Sequence, residues 1–245
     1  MITSVQNNTV KRWKKLQKKR DREKEQSFMV EGFHLVEEAV NSLWDVKEII
    51  VREDVDLPNE WQSYKWFSVT DEVFNAITET EHPQGVAAVI NMTEPEWGDF
   101  SRVLVLDAIQ DPGNLGTLIR TADAAGFDAI IAGKGTVDPY NDKALRSTQG
   151  SIFHVPVFQG DLEEWLPYIK DKGLSVWATS LRNANEYHTV KPTSPVALLV
   201  GNEGAGVQDE YLQFADQNVT IPIFGQAESL NVAIASGILM YYLRN

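Results

Sequence analysis

The stretch Arg102-Val-Leu-Val-Leu-Asp-Ala-Ile-Gln-Asp-Pro-Gly-Asn-Leu-Gly-Thr-Leu-Ile-Arg120 starts as an apolar strand, turns at proline and glycine, and continues with helical spacing. The same alternation of apolar strands and helices extends to the end of the chain. Near-continuous apolar strands separated by helices are typical of a mostly parallel sheet covered on both faces. The sequence therefore predicts an α/β fold.

This sheet is predicted to contain six strands, at residues 102–106, 129–132, 153–158, 174–179, 196–200 and 218–221. Helices are predicted at residues 115–125, 141–148, 162–170, 209–215 and 229–243. Residues 93–101 contain proline and glycine and show no periodicity, so they are predicted to separate two domains. The predicted domains are residues 1–95 and residues 96–245.

Residues 1–95 show a second, shorter alternation of helices and strands. Helices are predicted at residues 7–24, 33–43 and 71–77, and strands at residues 27–32, 46–51, 65–69 and 85–92. This part of the chain is therefore predicted to form a small α/β domain.

The composition, 43% hydrophobic and 23% charged over 245 residues, is ordinary for a globular protein. Cysteine is absent, which excludes disulfides and thiolate metal sites, and four scattered histidines argue against structural zinc. We expect no metal. The N-terminus has no apolar signal core and no run reaches membrane-spanning length, so we expect a cytoplasmic protein with no membrane partner.

Charge is distributed unevenly along the chain. The whole chain carries −13, but residues 11–24 carry +7 and the remainder carries −20. A basic helix on an acidic body would attract phosphate backbones to one place, although a solvated helix face is the competing interpretation. The candidates for RNA binding in this segment are Lys11, Lys14, Lys15, Lys18 and Arg22.

Two further segments place glycine and asparagine where a strand ends, Leu199-Val-Gly-Asn-Glu-Gly-Ala-Gly-Val207 and Ile221-Pro-Ile-Phe-Gly-Gln-Ala-Glu-Ser-Leu-Asn-Val-Ala-Ile234. Ligands bind open α/β sheets at the carboxyl ends of their strands. A simple turn would require neither Asn114 nor Arg120, whereas a phosphate site at a helix start stays an alternative. Glu203 could be a solvated acid or take part in proton transfer.

Other nucleotide-binding motifs are missing from the sequence. Neither the P-loop pattern nor a dinucleotide-binding Gly-x-Gly-x-x-Gly follows the first strand of either domain. In the last segment, Glu228 or Ser229 could simply cap the following helix, which leaves Asn231 unexplained.

Taken together and in this order, the three segments resemble the signature motifs of the SpoU/TrmH family of SPOUT-class RNA methyltransferases. The resemblance implies a C-terminal domain with a deep trefoil knot that binds S-adenosylmethionine (AdoMet), preceded by a ribosomal-protein-like RNA-binding domain. The N-terminal part is more loosely similar, at Phe28-Met-Val-Glu-Gly32 and His82-Pro-Gln-Gly85.

The resemblance also implies roles for individual residues. The catalytic candidates are Asn114, Arg120, Glu203, Ser229 and Asn231. The cofactor-binding candidates are Thr179, Ser180, Leu181, Gly201, Asn202, Gly206, Ile221, Ile223 and Leu230. The family acts as a homodimer, and the helix at residues 229–243, rich in small side chains, fits an interface.

The function expected from the resemblance is AdoMet-dependent methylation of a ribose 2′-hydroxyl in 23S rRNA. The alternatives are a tRNA 2′-O-methyltransferase, a methyltransferase with a different acceptor such as a base nitrogen, and a non-catalytic RNA-binding or ribosome-assembly factor. A guanidinium is an unlikely base, so we expect Arg120 to clamp a phosphate, with Glu203 or water as the proton acceptor.

Overall fold

The computed structural model describes residues 1–244 and shows two compact units. The first unit is formed by residues 1–94 together with residues 140–153. The second is formed by residues 95–139 together with the described part of 154–245. The predicted domains are two continuous stretches, and nothing in the sequence pattern indicated that residues 140–153 belong to the first unit.

Residues 1–244 form eleven strands and nine α-helices. The strands are β1 (Ser27–Glu31), β2 (Val46–Arg52), β3 (Trp66–Val69), β4 (Val86–Asn91), β5 (Arg102–Leu106), β6 (Ala129–Gly133), β7 (Val157–Gly160), β8 (Ser175–Thr179), β9 (Asn185–Glu186), β10 (Val196–Val200) and β11 (Gln217–Thr220). The helices are α1 (Asn8–Lys15), α2 (Lys19–Glu25), α3 (Phe33–Asn41), α4 (Asp71–Ile77), α5 (Pro112–Ala124), α6 (Asp142–Thr148), α7 (Leu162–Asp171), α8 (Asp209–Phe214) and α9 (Val232–Arg244).

The first unit is built on a four-stranded sheet in the order β1-β4-β2-β3. Strand β4 is antiparallel to both of its neighbours, and β2 is parallel to β3. One hydrophobic cluster of this unit joins Trp13 and Leu16 to Ile50, Phe74 and Ile77, all of them buried. Burial of the few apolar side chains near α1 therefore fixes this basic segment to its own unit.

The helix predicted at residues 7–24 is wrong as a single element. Helix α1 ends at Lys15, and Lys18 has extended backbone before α2 begins. The guanidinium of Arg22 donates to the carbonyl oxygens of Leu16 (2.8 Å) and Gln17 (2.9 Å), which would otherwise lack partners at the break.

The second unit contains a seven-stranded sheet in the order β7-β6-β5-β10-β8-β11-β9, and every neighbouring pair is parallel. Strands β5 and β10 lie side by side, with Leu104 opposite Leu198 and Leu106 opposite Val200. The prediction of a mostly parallel α/β sheet is confirmed. The trefoil knot stays a prediction, because strand order does not define threading.

Some predicted boundaries in this unit differ from the structure. Residues 151–153 form a short 3-10 turn and β7 starts only at Val157, where a strand was predicted at 153–158. Helix α9 starts at Val232 rather than at residue 229. None of the helices in residues 1–244 is long and apolar enough to cross a membrane.

Candidate active site

The candidate site lies where adjacent parallel strands of the second unit end. In the sheet order, β5, β10, β8 and β11 are consecutive neighbours. The three sequence segments and Thr179-Ser-Leu181 follow the carboxyl ends of these four strands. Parallel strands present their carboxyl ends at one edge, so the fold brings together segments that are up to about a hundred residues apart in the sequence.

Helix α5 starts at this edge with a complete N-terminal cap. The Asp111 side chain accepts a hydrogen bond from the backbone N–H of Asn114 (2.9 Å), and Pro112 occupies the first helical position. Both features are typical of helix starts. The buried side chains of Leu115, Leu118 and Ile119 hold the helix on the sheet. Asn114 therefore lies in the first turn of a helix that is packed on the sheet, and its backbone position is fixed by that helix.

Glu203 joins the loop after β10 to the start of α5. One carboxylate oxygen accepts from the backbone N–H of Asp111 (3.1 Å) and from the side-chain amide of Asn114 (3.0 Å), and the other accepts from the backbone N–H of Gln110 (3.1 Å). Partial burial acts to raise the pKa of Glu203, but these hydrogen bonds outweigh it and the pKa lies below its ordinary value. Glu203 is therefore ionised, and both of its oxygens accept hydrogen bonds from the start of α5 and the loop before it.

Asn231 connects the last segment to the same network. Its side-chain nitrogen donates to the side-chain oxygen of Asn114 (2.9 Å), and its side-chain oxygen accepts from the backbone N–H groups of Ala233 (2.9 Å) and Ile234 (3.3 Å). Asn231 is thus the N-cap of α9, a role that the sequence pattern had suggested for Glu228 or Ser229. Asn231, Asn114 and Glu203 form one hydrogen-bonded chain.

Helices α5 and α9 run side by side in the same direction. Asn231 contacts Asn114 at their starts, and the Tyr241 hydroxyl donates to the carbonyl oxygen of Ala124 (3.4 Å) near their ends. Between these points a Cβ on Gly237 would lie 3.5 Å from the Thr121 side chain, which is ordinary van der Waals contact, so the two helices pack against each other here. The positive ends of both helix dipoles therefore lie at the candidate site, where they favour anionic groups.

The other two catalytic candidates stand outside this chain of hydrogen bonds. Arg120 and Ser229 are both exposed. Within residues 1–244, neither side chain makes a hydrogen bond or an ion pair. The structure therefore brings three of the five candidates into direct contact and leaves a guanidinium and a hydroxyl available for ligands.

The cofactor candidates differ in how far their polar groups are already used. The Asn202 side chain donates to the carbonyl oxygen of Ala108 (2.9 Å) and accepts from the N–H groups of Gly204 (2.9 Å) and Ala205 (3.0 Å), so its oxygen is occupied and one of its two amide N–H groups is used. The Ser180 hydroxyl donates to the carbonyl oxygen of Arg182 (2.7 Å). Their main chain is engaged as well: Asn202 exchanges two hydrogen bonds with Gly206, and the N–H of Ser180 donates to the carbonyl oxygen of Val219 (3.0 Å).

The remaining cofactor candidates offer apolar and main-chain surface. Leu181 is 69% exposed and Leu230 is 37% exposed, while Ile221 and Ile223 are half-buried. Apolar side chains around free main-chain groups are the usual surroundings of a bound adenosine-type ligand. Thr179 ends β8 beside this surface. The residues present at this edge therefore fit AdoMet.

The basic segment of the first unit presents four of its five predicted RNA-binding residues to solvent. Lys11, Lys14, Lys15 and Lys18 are exposed. Arg22 is 4% exposed and its guanidinium is bonded to main-chain carbonyl oxygens, so its prediction as an RNA contact is wrong.

The buried carboxylate of Glu48 holds α1 in place. It accepts from the indole N–H of Trp13 (2.6 Å) and pairs with Arg12 and, at 3.5 Å, with Lys65. The pair with Arg12 removes one cation from the exposed basic surface. Nothing in the sequence pattern indicated this role for Glu48. Among residues 1–244 no cluster of acidic or histidine side chains could hold a metal ion.

Comparison with known families gives two matches that together cover most of the chain. Residues 101–241 match the profile of the SpoU rRNA Methylase family. Residues 7–88 match an MRM3-like substrate binding domain.

Individual relatives agree with these matches. The chain is 48% identical to the 23S rRNA (guanosine(2553)-2′-O)-methyltransferase RlmP of Bacillus subtilis, over 99% of this chain and 98% of that protein. The crystal structure of an AdoMet-bound rRNA methyltransferase from Sinorhizobium meliloti aligns with a TM-score of 0.88 at 34% identity, over 99% of this chain and 96% of that one. A TrmH/SpoU tRNA-modifying enzyme from A. aeolicus aligns with a TM-score of 0.51 at 30% identity, over 58% of this chain and 73% of that one.

Proposed function

The chain belongs to the SpoU rRNA methylase family, and on that premise we propose that it transfers a methyl group from AdoMet to a ribose 2′-hydroxyl of 23S rRNA. The observation that carries this proposal is the chain of hydrogen bonds from Asn231 through Asn114 to Glu203 at the carboxyl edge of the sheet. It joins all three signature segments at one place. The full-length similarity to a 23S rRNA enzyme supports rRNA as the substrate.

Transfer RNA is the weaker candidate substrate. The tRNA-modifying relative covers 58% of this chain, whereas the rRNA methyltransferase covers 99%. Residues 7–88 of this chain match a substrate-binding domain. An RNA-binding unit of this kind supports a large, structured RNA as the substrate.

AdoMet, when bound, supplies an electrophilic methyl group on a sulfonium. The residues that would hold it are those after β10, β8 and β11, from Gly201, Thr179 and Ile221 onward. Leu181 and Leu230 would cover the apolar part of the ligand and exclude water from it.

Arg120 is the group that we assign to the RNA backbone beside the reacting ribose. Its guanidinium is exposed and unpaired within residues 1–244, and its planar fork suits bidentate binding of a phosphate. A fixed cation near the 2′-hydroxyl lowers the pKa of that hydroxyl and holds the oxygen in line for attack. Arg120 therefore positions and polarises the acceptor.

Glu203 is a poor proton acceptor in this arrangement. Three N–H groups already occupy its two oxygens, and its pKa lies below the ordinary value. Of the two acceptors expected from the sequence, we therefore assign the proton to a solvent water. Glu203 fixes the loop before α5 and orients the amide of Asn114, and Asn114 and Asn231 can then orient the ribose.

The partners that we propose for this protein are the rRNA and a second copy of the chain, and the proposed location is the cytoplasm. The exposed lysines of α1 and the turn after it would bind the rRNA backbone. A second copy of the chain would cover the exposed side of α9, giving a homodimer. An rRNA substrate places the protein in the cytoplasm. No metal takes part in the steps assigned here.

The deciding experiment supplies labelled AdoMet and total RNA from cells that lack the gene, then identifies the methylated nucleoside after digestion. The expected result is a 2′-O-methylnucleoside in the 23S rRNA fraction. Label in the tRNA fraction would show that the substrate is tRNA rather than rRNA. Label on a base would show that the methyl acceptor is not the ribose 2′-hydroxyl. If no RNA is labelled and calorimetry shows no AdoMet binding, a non-catalytic RNA-binding role replaces the enzyme.

A further inference from the structure

Asp107 is a buried acid beside the candidate site that has no role in the mechanism above. It follows β5 directly and is 1% exposed. Both carboxylate oxygens accept hydrogen bonds from one residue, Gln208: one from its backbone N–H (2.9 Å) and the other from its side-chain amide (2.7 Å). We call this pair the Asp107–Gln208 clasp.

The clasp closes the far end of the loop that carries Glu203. Gln208 immediately follows this loop, residues 201–207, and immediately precedes α8. The near end is fixed by a hydrogen bond from the Asp107 N–H to the carbonyl oxygen of Val200 (2.9 Å). Asp107 therefore holds both ends of the loop, one through its main chain and one through its side chain.

The residue after Asp107 belongs to the same connection. Ala108 has a φ of 54°, which is unfavourable for a residue with a Cβ. Its carbonyl oxygen accepts from the side chain of Asn202 (2.9 Å). The loops after β5 and β10 are thus tied together before Glu203 makes its three bonds to Gln110, Asp111 and Asn114.

A buried carboxylate carries a large desolvation cost when its partners are neutral. Within residues 1–244 Asp107 forms no ion pair, so its two hydrogen bonds with Gln208 are what offsets the desolvation cost of its carboxylate. Because both partners are donors, a carboxylate matches them without rearrangement. An asparagine would match them only if the amide of Gln208 turned over.

We propose that Asp107 and Gln208 are positioning residues for methyl transfer, which act by fixing the Glu203 loop and, through Glu203, the amide of Asn114. This inference rests on the proposed function. The clasp touches neither the acceptor nor the methyl donor in this assignment, so its loss should affect turnover more than RNA affinity.

Moving the charge across the clasp tests this proposal. Gln208→Glu places two carboxylates against each other, and we expect kcat to fall about 30-fold or more, with the KM for RNA within about 3-fold. Adding Asp107→Asn restores a donor opposite the new carboxylate, and kcat should return to within about 3-fold of wild type. A fall in kcat at a nearly unchanged KM, reversed by the second substitution, distinguishes a positioning role from a general loss of folded protein.

If Gln208→Glu does not fold, Gln208→Met removes only the side-chain bond, and we expect it to reduce kcat about 10-fold.

Amide hydrogen exchange, measured without substrate, tests the clasp independently of the proposed methyltransferase activity. In Gln208→Glu the amides of Gln110 and Asp111 should exchange about 10-fold faster, with recovery in the double variant and no change at Ile131 in the sheet. This pattern supports the clasp even if wild type methylates no RNA. The proposal is overturned if Gln208→Glu and Gln208→Met both keep the wild-type kcat and the wild-type rates of amide hydrogen exchange. It is also overturned if adding Asp107→Asn does not restore the kcat of Gln208→Glu.

Discussion

Arg120 and Glu203 illustrate two ways in which a charged side chain serves a site. Arg120 is exposed and unpaired within residues 1–244, so its charge is available to a ligand. Glu203 is engaged by three N–H donors, so its charge serves the protein itself. The sequence motif alone does not separate these roles, because both residue types suit either acid–base chemistry or recognition.

The assignment of Arg120 predicts a specific effect of a conservative substitution. Arg120→Lys keeps the positive charge but loses the planar fork, so we expect kcat/KM to fall about 10-fold or more, and further in Arg120→Ala. Methyl-transfer kinetics measure this effect, and AdoMet affinity by calorimetry should not change. Wild-type turnover in Arg120→Lys would contradict the bidentate clamp.

Glu203→Gln should reduce activity because it replaces one acceptor oxygen with a donor that faces an N–H group. We expect kcat to fall about 10- to 100-fold, since the start of α5 loses its fixed position. Glu210→Gln, an exposed acid with no hydrogen bond among the described residues, is the matched control. A raised KM for RNA, with kcat intact, would instead place Glu203 in RNA binding.

The lowered pKa of Glu203 also predicts a pH dependence of stability. The carboxylate stabilises the folded state above its ordinary pKa of 4.5, and this stabilisation is lost as the pH falls through the lower folded-state value. The difference in Tm between wild type and Glu203→Gln should therefore be largest near neutral pH and shrink below about pH 4. Thermal unfolding monitored by circular dichroism measures it, and a constant difference would argue against the pKa shift.

At the scale of elements, the loop after β10 has one position that admits no side chain. A Cβ on Gly201 would lie 2.1 Å from the main-chain carbon of Gly206 and 2.1 Å from the nitrogen of Val207. Real Cβ atoms do not approach main chain so closely. The glycine is therefore required by the crossing of two chain segments, in addition to any contact with a cofactor.

Gly201→Ala should consequently open this loop. We expect the variant to lose about 3 kcal/mol or more of stability, which corresponds to a fall in Tm of roughly 6–12 °C. We also expect it to lose AdoMet binding. Gly204→Ala is the control, since its Cβ would meet only the Asn202 side-chain oxygen at 3.6 Å. Equal Tm values for the two variants would show that the crossing can relax.

The break between α1 and α2 decides which basic side chains can reach RNA. Lys14, Lys15 and Lys18 are exposed, whereas Arg12 and Arg22 bond to the protein. In the triple variant Lys14→Ala/Lys15→Ala/Lys18→Ala, the negative slope of the logarithm of the RNA association constant against the logarithm of salt concentration should become shallower by about 2–3. Filter binding to rRNA fragments at several salt concentrations measures it, with Lys191→Ala as the control. An unchanged slope would move the RNA surface elsewhere.

At the scale of the whole molecule, the second unit exposes an apolar stripe along α9. Ile234 is 58% exposed, Ile238 is 38% exposed and Tyr241 is 54% exposed, at helical spacing. An exposed apolar face of this kind is typical of a subunit interface. It is the observation that supports the proposed homodimer.

The stripe gives a test of assembly. Wild type should sediment as a dimer at micromolar concentration, and the double variant Ile234→Asp/Ile238→Asp should sediment as a monomer, because each buried carboxylate would lack a partner. Leu43→Asp changes an equally apolar but fully exposed residue of the first unit and should leave the dimer intact. A monomeric wild type would remove the dimer from the proposal.

The sequence by itself determined the parallel sheet of the second unit and the segments that carry the site. Strands β5 and β10 lie at the residues predicted for them, because uninterrupted apolar runs ending in glycine or aspartate leave little choice of structure. The resemblance of the three segments to one family gave the expected chemistry before any contact was known. Local composition and spacing were sufficient for these conclusions.

Only the tertiary structure decided how each polar residue is used. The capping role of Asn231, the burial of Arg22, the three bonds of Glu203 and the Asp107–Gln208 clasp all depend on partners, many of them remote in sequence. The packing of residues 140–153 with the first unit is equally non-local. Sequence pattern reports on burial and periodicity, whereas hydrogen-bond partners are set by which strand ends and helix starts the fold places side by side.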